Sequence, residues 1–367
     1  MFPGLADWIK MLLAFAVSLL VAYVMTPPVK RFAEKVGAID VPKDNRRVHD
    51  HPIPRMGGLA IFIGFVLSLI FFVPMSTKVL GLLVGSVIIA VMGGVDDIVS
   101  LNPWVKLAGQ IVAALVAIRC GLVFDVISNP NIFAEETYIE IGWLSIPLTM
   151  LWIVGCTNAV NLIDGLDGLA VGVSAISSMT MLIVSLFVSE PVVSIILAAL
   201  TGACLGFMPY NLNPAKIFMG DVGSQLLGFV LSTASIMGLF KLHAIITFFV
   251  PLLALALPLA DTIFAFFRRI LHGQSPFKAD KGHFHHRLLA MGLNQKQVVA
   301  VLGLLAVLMA GDSMAVKIIC LVAAFIISLG IWLKVFKNNP NLREHHAEEH
   351  KAETPAESNT PPQEKAE

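Results

Sequence analysis

The chain has 367 residues, 57% of them hydrophobic and only 14% charged, with a formal net charge of zero. Soluble globular proteins carry about 25% charged residues, so most of this chain is not built to face water. Zero net charge gives nucleic-acid binding no electrostatic support, and Cys120, Cys156, Cys204 and Cys320 lie in or beside apolar runs without a metal-binding spacing.

A membrane-crossing helix needs about 20 apolar residues. The first window is Ile9–Pro27. It lacks the positive n-region and small-residue cleavage site of a signal peptide, so it reads as an uncleaved first span. Further windows are Gly57–Val73, Val79–Val95, Leu107–Val123, Trp143–Val160, Leu169–Val188 and Val192–Pro209. After these come Val222–Phe240, Ala244–Phe267, Val298–Ala310 and Ala315–Phe336. The fold class expected is all-α: a polytopic transmembrane bundle of about eleven helices over residues 1–337. The remaining segment, 338–367, is rich in Glu, Lys, His, Pro and Ala without apolar periodicity, and a disordered tail is expected there.

Lys and Arg set the orientation. Lys30, Arg31, Lys35, Lys43, Arg46, Arg47 and Arg55 follow the first span; Arg268, Arg269, Lys278, Lys281 and Arg287 follow the ninth. The 124–142 loop has no Lys or Arg and carries Asp125, Glu135, Glu136 and Glu140. The N-terminus is therefore expected outside, with the basic loops and the C-terminus cytoplasmic. On that topology the polar clusters fall on one side.

Asp96-Asp97 closes the third span after Gly93-Gly94. Adjacent carboxylates repel unless a cation neutralises them, which reads as a metal- or proton-handling pair or as a solvated helix end. Lys106 is a phosphate ligand or a snorkelling lysine. In Asn158-Ala-Val-Asn161-Leu-Ile-Asp164-Gly-Leu-Asp167-Gly168 polar groups recur every third residue, a spacing that a helical turn brings onto nearby faces. Two amides and two carboxylates beside a membrane span are costly without partners. Magnesium, which prefers hard oxygen ligands, meets that demand.

Phe218-Met-Gly220-Asp221-Val-Gly223-Ser224 holds a second Gly-flanked acid. Asp221 opens the eighth helix, as a metal ligand or as a cap for free backbone N–H groups. Phe218 is an interfacial aromatic or a stacking surface for a base. His283-Phe-His285-His286-Arg287, near Lys278 and Lys281, is better suited to anions than to zinc. Asp261 sits inside the ninth span, where ionisable groups are functional candidates.

Together these motifs resemble the polyprenyl-phosphate N-acetylhexosamine-1-phosphate transferases. The resemblance runs from His49-Asp-His-Pro-Ile-Pro-Arg55-Met-Gly57-Gly58 through Asp96-Asp97, Asn158 to Gly168 and Phe218 to Ser224, to His283 to Arg287. It covers most of the chain apart from the tail.

The family implies attack of a polyprenyl phosphate on the β-phosphorus of a UDP-amino sugar, releasing UMP. Magnesium is the implied cofactor, with manganese as a substitute. By position in the motifs, Asp221 resembles the metal ligand and Asn161 its helper. Asp96 and Asp97 resemble the catalytic acid pair, and Lys106 a phosphate contact. Asp167, Asn211 and Phe218 resemble uridine-pocket residues, and Asp164 joins them on the substrate side. His283, His285, His286 and Arg287 stand where the family varies with the sugar. Because Phe284 interrupts the histidines, the run looks like the GlcNAc-1-phosphate branch rather than the phospho-MurNAc-pentapeptide branch. The implied partners are UDP-GlcNAc, undecaprenyl phosphate and membrane lipid, with no nucleic acid; homodimerisation stays open. The rival class is a secondary transporter, whose site would lie near the midplane.

Overall fold

A backbone in lipid must satisfy its own hydrogen bonds, so apolar runs of this length fold as helices. The structure, a computed structural model, describes residues 4–41, 51–124, 126–128, 138–188, 190–238, 288 and 293–310. All belong to the contact unit Met1–Ser313; a second unit, Met314–Glu367, lies outside the described residues. The windows Ala244–Phe267 and Ala315–Phe336, Asp261, His283, His285, His286, Arg287 and the 338–367 tail also fall outside them.

Among the described residues the α-helices are α1 (Leu5–Val36), α2 (Gly58–Phe72), α3 (Thr77–Val99), α4 (Pro103–Arg119) and α5 (Ser145–Ile163). They continue as α6 (Leu169–Val188), α7 (Pro191–Asn211), α8 (Gly220–Gly238) and α9 (Gln295–Ala310). Among the described residues five segments are long and apolar enough to cross a membrane: Leu5–Val36, Thr77–Val99, Gly142–Ile163, Leu169–Leu186 and Pro191–Asn211. The fold is that of a polytopic helical membrane protein. Large apolar side chains such as Leu12, Leu20, Phe71, Val91 and Leu151 face outward, which suits lipid and not water.

Three boundaries depart from the sequence reading. Helix α1 runs through Pro27 and Pro28 to Val36; each proline removes an N–H, but α1 is held along its length by α7 and α2. Helix α3 runs past Val95 to Val99, so Asp96 and Asp97 occupy its last turn and are buried. The period-three polar run is not one helix. Asn158 and Asn161 lie on α5, Asp164 caps its C-terminus, and Asp167 lies in the turn before α6.

Helix α8 packs against α3 and α5, and more lightly against α2, α6 and α7. Val222, Leu226, Leu227, Phe229, Val230 and Leu231 are buried along it. Small residues allow this crowding. A Cβ on Gly58 would lie 2.0 Å from the backbone nitrogen of Gly223, and one on Gly93 would lie 2.6 Å from that of Val222. The 32-residue α1 lies on α7, where Gly202 and Gly206 meet its backbone.

Two short antiparallel hairpins complete the description. β1 (Ile39–Asp40) pairs with β2 (Ile53–Pro54), and β3 (Val126–Ser128) with β4 (Tyr138–Glu140). Beyond β2 the pairing continues onto the approach to α8. Phe218 N–H donates to Pro54 O at 2.8 Å, and the N–H groups of Gly57 and Gly58 donate to Phe218 O and Met219 O. That pairing sets Arg55 at the foot of α3 and α8.

Candidate active site

The last turn of α3, the first turns of α4 and α8, and the last turn of α5 meet at one end of the bundle. A tight turn at Ser100 (φ +52) reverses the chain after α3. Asn102 then caps α4, its Oδ1 accepting from Trp104 N–H at 3.0 Å, with Pro103 in the first turn. Lys106 comes back over Asp96 as a result. Asp96 Oδ1 accepts from Leu101 N–H at 2.7 Å, which fixes that carboxylate on the turn.

Lys106 Nζ lies 2.5 Å from Asp96 Oδ2 and 2.7 Å from Asp221 Oδ2. Asn161 Nδ2 donates to Asp221 Oδ1 at 3.0 Å and to Ser224 Oγ at 2.8 Å. Gln225 Nε2 donates to Asp221 Oδ2 at 3.2 Å. Asp97 faces the other way. Its Oδ1 accepts from Arg55 Nε at 2.9 Å and from Asp221 N–H at 3.0 Å, and its Oδ2 accepts from Val222 N–H at 3.3 Å. Burial by itself would lower the Arg55 pKa, but the carboxylates of Asp97 and Asp221 hold it above its ordinary value.

Behind this cluster lies an amide network. Gln110 Nε2 donates to Gln225 Oε1 at 3.0 Å, and Gln110 and Asn158 exchange bonds of 3.3 and 2.6 Å. Asp164 sits beside the cluster. Burial, then the nearby carboxylates of Asp221 and Asp97, push its carboxyl up to about 8, although part of its surface remains open.

Asp167 and Asn211 form a separate node. Asp167 Oδ2 accepts from Asn213 Nδ2 and from Ala215 N–H, each at 3.0 Å. Buried Asn211 accepts from Gly168 N–H at 3.2 Å and donates to Ile217 O at 3.1 Å. These bonds tie the turn before α6 to the 212–218 loop, and Asn213 extends the tie to Gln295 of α9 at 2.8 Å. Phe218, half-buried, ends that loop.

So the structure gathers Asp96, Asp97, Lys106, Asn161 and Asp221, sets Asp164 beside them, and places Asp167, Asn211 and Phe218 on the adjoining loops. The sequence reading gave Arg55 only as one cationic residue of the first-loop motif, and assigned no site role to Gln110, Gln225 or Ser224. A signal for two of these was present. Gln110 stands four residues after Lys106 and Gln225 four after Asp221, the spacing of one helical face.

Among the described residues no group of three or more His, Cys, Asp or Glu is arranged to hold a metal. The donor set fits magnesium all the same. Two carboxylate oxygens, Asp96 Oδ2 and Asp221 Oδ2, already converge on one cation, the Lys106 ammonium, and the Asn161 amide adjoins them. Magnesium is bound through one or two carboxylates, with waters and phosphates as its other ligands.

Residues 79–239 match the profile described as Glycosyl transferase family 4. The chain is 42% identical over 329 residues to a Bacillus subtilis protein named probable undecaprenyl-phosphate N-acetylglucosaminyl 1-phosphate transferase, covering 89% of this chain and 88% of the relative. It is 35% identical over 314 residues to the Mycobacterium tuberculosis decaprenyl-phosphate N-acetylglucosaminephosphotransferase, covering 77% and 76%. It is 32% identical over 312 residues to a Staphylococcus aureus phospho-N-acetylmuramoyl-pentapeptide-transferase, covering 79% and 92%. Likeness of that extent reaches well beyond the acid-bearing turns, and the chain belongs to the polyprenyl-phosphate N-acetylhexosamine-1-phosphate transferase family.

Proposed function

We propose that this protein transfers GlcNAc-1-phosphate from UDP-GlcNAc to undecaprenyl phosphate, giving undecaprenyl-diphosphate-GlcNAc and UMP. The observation that carries this reading is the near full-length likeness to the Bacillus subtilis enzyme. The interruption of the histidine run by Phe284 supports GlcNAc as the sugar. A bacterial cytoplasmic membrane, eleven spans, an outside N-terminus and a cytoplasmic site complete the proposal, since a soluble nucleotide sugar must meet a lipid phosphate there.

A phosphate monoester has a second pKa of about 6, so the lipid phosphate is mostly dianionic at neutral pH. The main barrier is the approach of that dianion to an anionic diphosphate. One lipid phosphate oxygen forms a bond to the β-phosphorus. The bond from that phosphorus to the bridging oxygen breaks, and its electron pair leaves with UMP. Arg55 and Lys106, 24% and 28% exposed, present positive charge at the open edge of the cluster.

Asp221 and Asp96, with Asn161 beside them, would hold magnesium. When bound, the metal supplies charge that offsets the repulsion and the negative charge developing on the leaving group. The node of Asp167 and Asn211 shapes the loops proposed to take uridine, and Phe218 offers a ring for its base. Remote binding of that kind holds the reacting phosphorus in line. One acid of the Asp96–Asp97 pair removes any residual proton. The alternative is a phospho-aspartate intermediate, which trapping of a 32P-labelled sugar-phosphate enzyme would support and inversion at phosphorus would exclude.

The test is UMP release by purified full-length protein given undecaprenyl phosphate and magnesium, with UDP-GlcNAc and UDP-MurNAc-pentapeptide offered side by side. Preference for UDP-GlcNAc is expected. Preference for the pentapeptide substrate would move the chain to the peptidoglycan branch. Substrate flux across vesicles without UMP release would make it a transporter.

A further inference from the structure

We infer that Asp97 is a positioning residue and not a reacting group: clamped by Arg55, it holds the first turn of α8 so that Asp221 points at the reaction centre. The division of labour between the two adjacent acids rests on the transfer reading above, whereas the clamp itself is a matter of packing.

The two acids are neighbours in sequence but opposites in use. The Asp97 side chain is 0% exposed, and three donors occupy its two oxygens: Arg55 Nε and the N–H groups of Asp221 and Val222. The first N–H groups of a helix have no partner within the helix. Here the carboxylate that satisfies two of them comes from α3, 124 and 125 residues away in sequence. Gly220 makes this approach possible. Its φ is +71°, and a Cβ on it would lie 2.3 Å from Asp97 Oδ2. A base or nucleophile must instead present an oxygen to substrate. For Asp97 to do so it would have to abandon the start of α8, the turn that carries Asp221.

Asp96 is arranged differently. Its Oδ2 faces the Lys106 ammonium, which also meets Asp221 Oδ2, and Lys106 reaches the open edge. Arg55 completes the clamp from the chain after β2. Besides the Asp97 contact, its guanidinium donates to Asp96 O at 3.5 Å. The pair therefore locks the last turn of α3 to the first turn of α8 and keeps the buried Asp97 charge paired.

The experiment compares full-length wild type, Asp97→Asn, Arg55→Lys and Asp221→Asn. The metal alone is the first probe: Mn2+ binding read by electron paramagnetic resonance, with thermal unfolding measured in its absence. Asp97→Asn is expected to weaken Mn2+ binding about tenfold, the size of one lost charge-assisted hydrogen bond, and to lower the metal-free melting temperature. Turnover should fall at fixed magnesium and recover in part as magnesium rises. Arg55→Lys keeps the charge but loses the fork, and should show the same pattern in weaker form; if Asp97→Asn does not fold, Arg55→Lys decides. Unchanged Mn2+ binding and melting, with kcat lost at every magnesium concentration, would overturn the inference. These metal and melting readouts need no sugar transfer, so failure of the substrate assignment remains distinguishable from failure of the clamp.

Discussion

Lys106 Nζ sits 2.7 Å from Asp221 Oδ2 across 115 residues of chain, and the same ammonium meets Asp96 Oδ2 at 2.5 Å. One cation thus joins α3, α4 and α8 at the carboxylates proposed to hold magnesium. Lys106→Met should cut kcat by about 10²-fold, as loss of a charge-stabilising donor does, without weakening Mn2+ binding, because both carboxylates remain. Steady-state kinetics paired with metal titration checks this. Weaker metal binding in the variant would show that Lys106 helps to build the metal site.

Asp221→Ala removes the acid that Lys106, Asn161 and Gln225 all address. Turnover is expected to drop by at least ~10³-fold, since a metal supplies several kcal/mol of charge stabilisation, while the protein stays folded in detergent. Retained magnesium-dependent UMP release would rule out Asp221 as the metal ligand.

The contact of α2 with α8 should tolerate no side chain at Gly58. A Cβ there meets Gly223 backbone atoms at 2.0 and 2.1 Å, and backbone cannot swing aside. Gly58→Val is expected to cost more than the ~1–3 kcal/mol of ordinary overpacking. Gly94→Ala is the contrast. Its nearest neighbour is the flexible tip of Met56 at 3.5 Å, and helix propensity favours Ala by about 1 kcal/mol. Melting temperatures of the two variants should move in opposite directions.

Gln110 is 3% exposed and bonded to both Asn158 and Gln225. Gln110→Ala strands those partners and should cost about 1–3 kcal/mol. Thermal unfolding measures it directly. If Gln225 drifts as a result, the bond it gives Asp221 weakens as well, so the magnesium needed for half-maximal activity should rise.

Asn211→Ala unties the turn before α6 from the 212–218 loop. Gly168 N–H and Ile217 O lose their bonds to its side chain, at a cost of about 1–3 kcal/mol. KM for the nucleotide sugar is expected to rise more than kcat falls, because the loops proposed for uridine loosen while the acid cluster is untouched. The reverse split would place Asn211 with the reacting groups.

Hydrophobic windows place the helices described here to within a few residues, apart from the C-terminal end of α1, because lipid leaves an apolar run almost no alternative to a helix. The acids could also be picked out, since carboxylates and amides beside membrane spans demand partners. What those partners would be was less legible. The spacing of Asn158, Asn161, Asp164 and Asp167 suggested one helical face, yet α5 stops at Ile163, Asp164 is its C-cap, and Asp167 turns to Asn213 and Ala215. The sequence reading considered Asp221 itself as the cap of α8, whereas the cap is Asp97, reaching from α3.

The sequence by itself determined that this is a multi-pass membrane protein whose polar residues gather on a few turns, because composition and period register directly in hydropathy. Only the tertiary structure decided how the paired acids divide. Adjacent residues on a helix point about 100° apart, so one carboxylate reaches Lys106 while its neighbour turns into α8. Both carboxylates are buried; which partner each one meets depends on the crossing of α3 and α8, and that crossing rests on glycines whose role is visible only once the two backbones are seen to touch.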